Sequence, residues 1–169
     1  MIAQDQVIVD LAERVRNRFY GKYRGVVSQV DGPTMRLKAR VPAVLGDQES
    51  GWAMPCVPYA GPQVGIAFLP EEGSGVWIEF EAGDVSFPIW VGCYWRTGEF
   101  PPEAKADAKT IISRTVKLVL DDGQTQSTWT DDNNNTITLD SDGIAAERQS
   151  QNVKIQSTVS INDGALEVQ

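Results

Sequence analysis

The side chains that could do chemistry in this sequence are scattered carboxylates, two cysteines and a group of aromatic rings. The 169 residues include no histidine, which removes the commonest general base and the commonest metal ligand. Cys56 and Cys93 have neither CxxC spacing nor further zinc ligands around them, and a disulfide between them is left open. These residue types predict a protein that is not an enzyme and that uses no metal and no cofactor.

The carboxylates fall into two groups, and neither has the setting of a catalytic pair. Glu79, Glu81 and Asp84 lie in or just after a strand pattern, where we expect solvated charges. The second group occupies polar turns in the last third of the chain: Asp121, Asp122, Asp131, Asp132, Asp140 and Asp142. A symmetric oligomer would bring these like charges near one another. We expect them to point into solvent, with a cation on the symmetry axis as the alternative.

The aromatic residues are concentrated in "GVWIEFEAGDVSFPIWVGCYW", residues 75–95. Four of these rings could stack against a sugar or a base, or could close the wall of a small β structure: Trp77, Trp90, Tyr94 and Trp95. The net charge of −8 opposes binding to a phosphate backbone. We therefore expect no nucleic-acid partner, and we predict that these rings form a barrel wall or a protein interface.

The elements that carry these residues have the period of β-strands. In two strands the alternation places the following side chains on the dry face: Met35, Leu37, Ala39, Val41, Val76, Ile78 and Phe80. In "FPIWVGCYW" the same alternation places Trp90 and Tyr94 together on one face, opposite Ile89, Val91, Cys93 and Trp95. Several short strands without crossover helices predict a small antiparallel barrel over residues 21–95.

Ahead of the barrel, residues 1–20 have helical spacing. Val7, Leu11 and Val15 fall on one stripe, which would either pack on the chain's own domain or contact a larger partner. The first residues, "MIAQDQVIVDLAERV", are acidic where a signal peptide is basic. We therefore expect the protein to be made in the cytoplasm without a signal peptide.

The chain changes character after the barrel. Residues 96–109 contain adjacent prolines and small or charged residues, and they predict a linker. Residues 110–169 have β-period apolar positions separated by Asp-, Asn- and Gly-rich turns: Val116, Leu118, Leu120, Ile137, Leu139, Val153, Ile155, Val159 and Ile161. Burying each such side chain gains roughly 1.5–3 kcal/mol, whereas ordering each residue costs about 1.5 kcal/mol. Too few apolar residues are present to close a core, so identical chains are expected to complete it.

Three stretches resemble a known family: "KYRGVVSQVDG", "MPCVPYAGP" and, most specifically, "LPEEGSGVWIEFEAGD" followed by "PIWVGCYW". They are similar to the oligonucleotide/oligosaccharide-binding-fold (OB-fold) domain of contractile-tail spikes. That group includes phage baseplate assembly protein V and the valine-glycine repeat protein G of type VI secretion. "SRTVKLVLDD" and "NNNTITLDSDGI" resemble the start of the family's triple-stranded β-helix.

The resemblance implies an all-β homotrimer with an N-terminal helix, an OB-fold barrel and an intertwined triple-stranded β-helix or prism. It implies a central spike that is assembled into a baseplate and contacts the target membrane only on injection. A separate baseplate hub would then bind Val7, Leu11 and Val15. Leu166, Val168 and Gln169 would form a platform for a tip protein of the Pro-Ala-Ala-Arg repeat type.

Two alternatives stay open from the sequence. The machine could be a phage tail, a tailocin, or an extracellular or type VI-like injection system. The chain could instead be a stand-alone OB-fold module that binds carbohydrate or oligonucleotide through Trp77 or Trp90.

Overall fold

The computed structural model describes residues 18–168 and, ahead of them, Val7, Val9 and Val15. The chain forms two compact units that divide between Gly98 and Glu99. We call the first the barrel unit and the second the sheet unit. Among the described residues no helix is long and apolar enough to cross a membrane.

The barrel unit is a five-stranded curled sheet with a small separate hairpin. Its strands are β1 (Tyr23–Asp31), β2 (Arg36–Arg40), β3 (Met54–Pro55), β4 (Ala60–Gly61), β5 (Val64–Gly65), β6 (Gly75–Phe80) and β7 (Pro88–Tyr94). One short helix, α1 (Pro42–Leu45), follows β2, and 3-10 turns span Gly32–Thr34 and Glu81–Gly83. The sheet order is β2-β1-β6-β7-β3, and β4 pairs with β5. Backbone hydrogen bonds between Leu37 and Ala53 join β2 to the segment before β3 and close the barrel.

The barrel surrounds a dry core built from alternating residues of β2 and β6. Leu37, Val76 and Ile78 are fully buried. The core also includes Val27 of β1 and Trp90 of β7. The predicted dry faces of these two strands are therefore confirmed except at Met35, which lies partly buried in the turn before β2 with a φ of 56°. The broader prediction of a nearly all-β chain with an OB-like barrel is also confirmed.

A β-bulge in β7 changes which aromatic rings face inward. Trp77 pairs with Gly92 and Ile78 pairs with Trp90, so Val91 is an extra residue on β7. Gly92 takes a φ of 147° there, a conformation that favours glycine. Simple alternation placed Trp90 and Tyr94 on the same face, and that prediction was wrong. The bulge leaves Trp90 in the core and turns Tyr94 to the outer face, against Trp77.

The sheet unit is a single antiparallel meander. Its strands are β8 (Ala108–Ile112), β9 (Val116–Asp121), β10 (Gln126–Asp131), β11 (Asn135–Leu139), β12 (Ile144–Arg148), β13 (Gln151–Ile155), β14 (Val159–Ile161) and β15 (Leu166–Val168). Each strand pairs with its neighbour in sequence, and the order is β15 to β8 without a crossover. Strand β8 begins at Ala108, inside the stretch predicted as a linker.

The short hairpins of the meander bear on the predicted intertwined arrangement. Strands β9 to β14 already have both hydrogen-bonded neighbours within their own chain. Exchange of strands between chains is therefore not needed to satisfy their backbones. The homotrimer itself stays a prediction at this point.

The N-terminal helix also stays a prediction. Val7, Val9 and Val15 have helical backbone geometry, and their side chains are exposed. Leu11 lies outside the described residues. Where the description becomes continuous, the Phe19 N–H donates to the carbonyl of Gly83 at 2.8 Å. The chain thus reaches β1 along the turn between β6 and β7.

Candidate assembly surface

One face of the sheet unit carries two continuous apolar ladders. Residues paired across antiparallel strands point to the same face of a sheet, so the registers define each ladder. The first ladder is apolar on all eight strands: Ile111, Leu118, Trp129, Ile137, Ala146, Val153, Ile161 and Leu166. The second is apolar on six strands and has Lys109 and Ser127 on the other two: Leu120, Leu139, Ile144, Ile155, Val159 and Val168. We call this surface the apolar face.

Within the described chain, nothing covers the apolar face. Trp129 is 57% exposed and Ile111 and Leu166 are each 56% exposed, whereas the barrel core residues are near 0%. Trp129, Ile137, Ala146, Val153 and Ile161 surround a groove of about 440 Å³ on this face. An apolar surface that runs over eight strands is far larger than a scattered set of exposed residues, and such surfaces mark interaction sites.

The opposite face of the sheet unit is polar. Thr128 pairs with Thr138, and Thr130 pairs with Thr136. Farther along, Lys154 of this face is paired with both Glu147 and Asp163. The sheet therefore has a face suited to water and a face suited to burial, as expected for a sheet that packs on one side only.

Aspartate carboxylates stabilise the turns at the sides of the sheet. The Asp121 carboxylate accepts a hydrogen bond from the backbone N–H of Gln124 at 3.0 Å. Asp140 accepts from the N–H groups of Asp142 and Gly143 at 2.9 and 3.2 Å. Aspartate is favoured in such turns because its side chain satisfies nearby backbone donors. These residues thus shape the hairpins and place negative charge along the sides of the sheet.

Asp131 forms the most complete of these turns. Its Oδ1 accepts from the backbone N–H groups of Asn133 and Asn135, each at 2.9 Å, and its Oδ2 accepts from the Asn135 amide at 2.7 Å. The side-chain and backbone hydrogen bonds from Asn135, followed by those from Asn133, hold the pKa of Asp131 below its ordinary value of 3.8. The folded state therefore favours the ionised carboxylate.

The Asp131 turn predicts a specific acid dependence of stability. Because its pKa is lowered on folding, the stabilisation is present above about pH 4 and is lost as the pH falls through the lowered value. Asp131→Asn should lower the thermal midpoint at neutral pH and reduce the further loss below pH 4. Asp132→Asn removes the same charge from the same turn but none of these hydrogen bonds, and is the control. Equal acid profiles for wild type and Asp131→Asn would rule out this role.

The residues predicted as the needle core all lie on the apolar face, although Val116 lies beside the two ladders rather than in them. The sequence interpretation missed four further members: Ile111, Trp129, Ile144 and Ala146. Trp129 stands in the polar run "STWTDD". It can be assigned to the apolar face only when its strand is aligned across the turn with the alternating residues of "VKLVL". Ile111 and Ile112 are adjacent, so alternation alone could not say which of them faces the same way as Leu118.

The described carboxylates of the barrel unit do not converge on a site. Glu79 forms an ion pair with Lys22, and Asp84 forms one with Arg18 at 3.0 Å. The backbone and side chain of Ser86 lower the pKa of Asp84 most, and Arg18 adds to the effect. The Glu81 N–H donates to Phe87 at 2.9 Å within the turn between β6 and β7. These groups fix the chain where it enters the barrel.

The four aromatic residues singled out from the sequence occupy three different settings. Trp90 is 4% exposed, and its Nε1 donates to the carbonyl of Met35 at 3.2 Å. Trp77 and Tyr94 pack together on the outer face, with ring centroids 5.2 Å apart. The Arg24 guanidinium lies 5.5 Å from the Trp77 ring and 5.7 Å from the Tyr94 ring. Trp95 is exposed. A base or sugar would have to displace Arg24 to stack on Trp77.

The remaining candidate residues are placed as follows. Cys56 and Cys93 are free, exposed thiols. In the described part of the chain, no cluster of three or more His, Cys, Asp or Glu side chains is arranged to hold a metal ion. Leu166 and Val168 lie exposed on β15, the last strand of the sheet, and Gln169 lies outside the described residues.

The comparisons with known proteins bear on the barrel unit. Residues 23–95 match the family described as the type VI secretion system/phage-baseplate injector OB domain. Among curated proteins, none matches this chain. The matched residues run from the first residue of β1 to one residue beyond β7, so they span the whole barrel. The resemblance noted from the sequence is thereby confirmed for residues 23–95, which are similar to the OB domain of phage-baseplate and type VI injectors. This similarity supports a baseplate-associated role in general.

Proposed function

We propose that this protein is the central spike of a contractile injection machine, with a structural rather than a catalytic role. Three copies would form a homotrimer, with the OB barrels beneath a hub and the sheet units joined into a needle. When the sheath contracts, the needle would be driven through the target envelope. Assembly would follow synthesis in the bacterial cytoplasm, and the target membrane would be contacted only on injection.

The single observation that carries this proposal is the uncovered apolar face. Three sheet units packed with these faces inward about a threefold axis would bury both ladders of every copy. Each apolar side chain removed from water contributes roughly 1.5–3 kcal/mol. Because the strands are paired within each chain, the copies would meet through side chains and each would supply one face of a prism. Eight strands spaced about 4.8 Å apart make each face roughly 34 Å long.

Two partners follow from the ends of this arrangement. The exposed Val7 and Val15 support contact between the N-terminal segment and a separate baseplate hub. At the other end of the proposed needle, β15 pairs with β14 alone among the described strands, and an open strand edge attracts further strands. Three such edges, with Leu166 and Val168, would form the platform for a Pro-Ala-Ala-Arg repeat tip protein.

The experiment combines oligomeric mass with location. Sedimentation equilibrium of the purified chain should give three times the 18.5 kDa chain mass. Antibodies against the chain should label the baseplate end of contractile particles isolated from the source cells. A well-ordered monomer would contradict the spike, because its apolar face would then be stable in water. Labelling along the sheath or tube alone would contradict the location.

A further inference from the structure

The two sides of the sheet unit, where its turns lie, differ in charge. On the first side are the turns 122–125, 140–143 and 156–158, and on the second are the turns 113–115, 132–134, 149–150 and 162–165. Residues 121–125, 140–143 and 156–158 contain four aspartates and no lysine or arginine. Both arginines of residues 99–169, Arg114 and Arg148, belong to the second side. The second side also carries Asp131, Asp132 and Asp163. The charged residues of the first-side turns are therefore all acidic, whereas the second side is mixed and carries both guanidinium groups.

Arg148 is placed so that its charge could pair with a group from another chain. It is the last residue of β12, and its cross-strand neighbours, Asn135 and Gln151, are uncharged. It lines the groove of the apolar face together with Trp129 and Ile137. Its side chain is exposed, and within the described chain it makes no salt bridge. Other cations of the sheet are paired within the chain: Lys109 with Asp122, Lys117 with Glu103, and Lys154 with Asp163.

Rotational symmetry brings the two sides together. In a ring of three copies about one axis, the first side of every sheet faces the second side of the next. Arg148 ends β12, and the turn 140–143 begins that same strand at its other end. The neighbour's copy of this turn therefore lies at nearly the same height along the needle as Arg148. Asp142 is exposed there, whereas Asp140 accepts hydrogen bonds within the turn through its Oδ1.

We propose that Arg148 of each copy binds the acidic turn 140–143 of the next copy, chiefly through Asp142. This pairing rests on the proposed trimer. It would also fix which side of each copy faces the next copy, and their relative height along the needle axis. The ladders alone are continuous apolar surfaces and would allow neighbouring copies to slide by one strand. In the same arrangement Asp132 of one copy approaches the acidic first side of the next copy, and these like charges repel. Arg148 therefore offsets this repulsion as well as forming an ion pair.

A charge exchange tests this pairing. Arg148→Glu and Asp142→Arg should each raise the dissociation constant of the trimer roughly tenfold, because three exposed ion pairs are lost at once. The double variant Arg148→Glu/Asp142→Arg should return it to within about threefold of wild type. Arg148→Glu/Asp47→Arg makes the same net charge change with the compensating charge in the barrel, and should not recover. Circular dichroism checks that each variant keeps its β structure.

Cross-linking gives a second measurement that does not depend on those energies. In a Cys56→Ser/Cys93→Ser background, cysteines replace Arg148 and Asp142, which lie at opposite ends of β12, about 20 Å apart in one chain. A short bis-maleimide can therefore join them only between chains. Covalent trimers are expected as the end product, with dimers as intermediates. A reaction that stops at dimers or leaves the chains uncrosslinked would contradict the pairing. If the wild type is a trimer but the exchange gives no recovery, the pairing is wrong and the spike stands. If the wild type is a monomer, both fail.

Discussion

An aspartate in place of Ile137 should abolish the trimer and leave a folded barrel unit. Ile137 lies in the first ladder on β11, between Trp129 and Ala146, and it is 43% exposed in the single chain. In the proposed prism it is buried close to the two other copies of itself. Three unpaired carboxylates in such a core cost several kcal/mol each, so the dissociation constant should rise at least about a thousandfold. Sedimentation velocity at micromolar concentration measures the change.

The neighbouring residue supplies the control for this result. Thr138 lies on the polar face, paired with Thr128 and Ala145. Thr138→Asp introduces the same charge one residue away, at a strand cost of at most about 1 kcal/mol, and the trimer should persist. If both aspartates dissociate the trimer equally, the apolar face is not the interface. If neither does, the copies associate elsewhere on the chain.

Much of the barrel could be predicted from the sequence because its strands obey a two-residue period. Leu37, Ala39 and Val41 alternate with basic residues and are all fully buried. The run around Trp77 and Trp90 also carried the family resemblance. The prediction failed at Trp90 and Tyr94, where one extra residue at Val91 reverses the inward and outward positions. A bulge is set by pairing with β6, and the sequence of β7 alone does not contain that register.

The sheet unit shows a different limit. The sequence predicted correctly that residues 110–169 form short strands. That they hold too few apolar residues for a core of their own stays a prediction. The sequence could not give the ladder that joins Ile111 to Leu166, because a ladder depends on the pairing of eight strands. Trp129, the third of the eight ladder residues, was missed because the residues around it are polar. The turns were easier to predict, since Asp131 and Asp140 bind backbone groups only two to four residues away.

The charged sides of the sheet could not be derived from composition. Asp122 and Asp142 stand in different turns, twenty positions apart in number, and only the meander places both on the side opposite Arg148. The same net charge of −8 spread evenly would favour dispersal of the copies. Both arginines lie on one side of the sheet unit, and the charged residues of the turns on the other side are all aspartates. In the proposed trimer this arrangement would replace part of the repulsion with attraction, which would favour one order of the copies and one height along the needle.

Leu37→Ala should destabilise the barrel unit by about 2–5 kcal/mol, the range for truncating a fully buried leucine. Leu37 also donates its N–H to, and accepts a hydrogen bond from, Ala53 where the barrel closes, so the cavity lies at the closure. Phe68→Ala is the control, because Phe68 is 65% exposed and its loss should cost within about 0.5 kcal/mol. Differential scanning calorimetry measures both.

The concentration dependence of that calorimetry separates the two units. The barrel closes its own core, so its transition and the loss at Leu37→Ala should be independent of protein concentration. The sheet unit completes its core only with other copies, so its transition should rise with concentration by mass action. A barrel transition that also rises with concentration would mean that the OB domains are themselves joined. A sheet transition that stays fixed would mean that the apolar face is stable alone, which the exposure of Trp129 and Leu166 argues against.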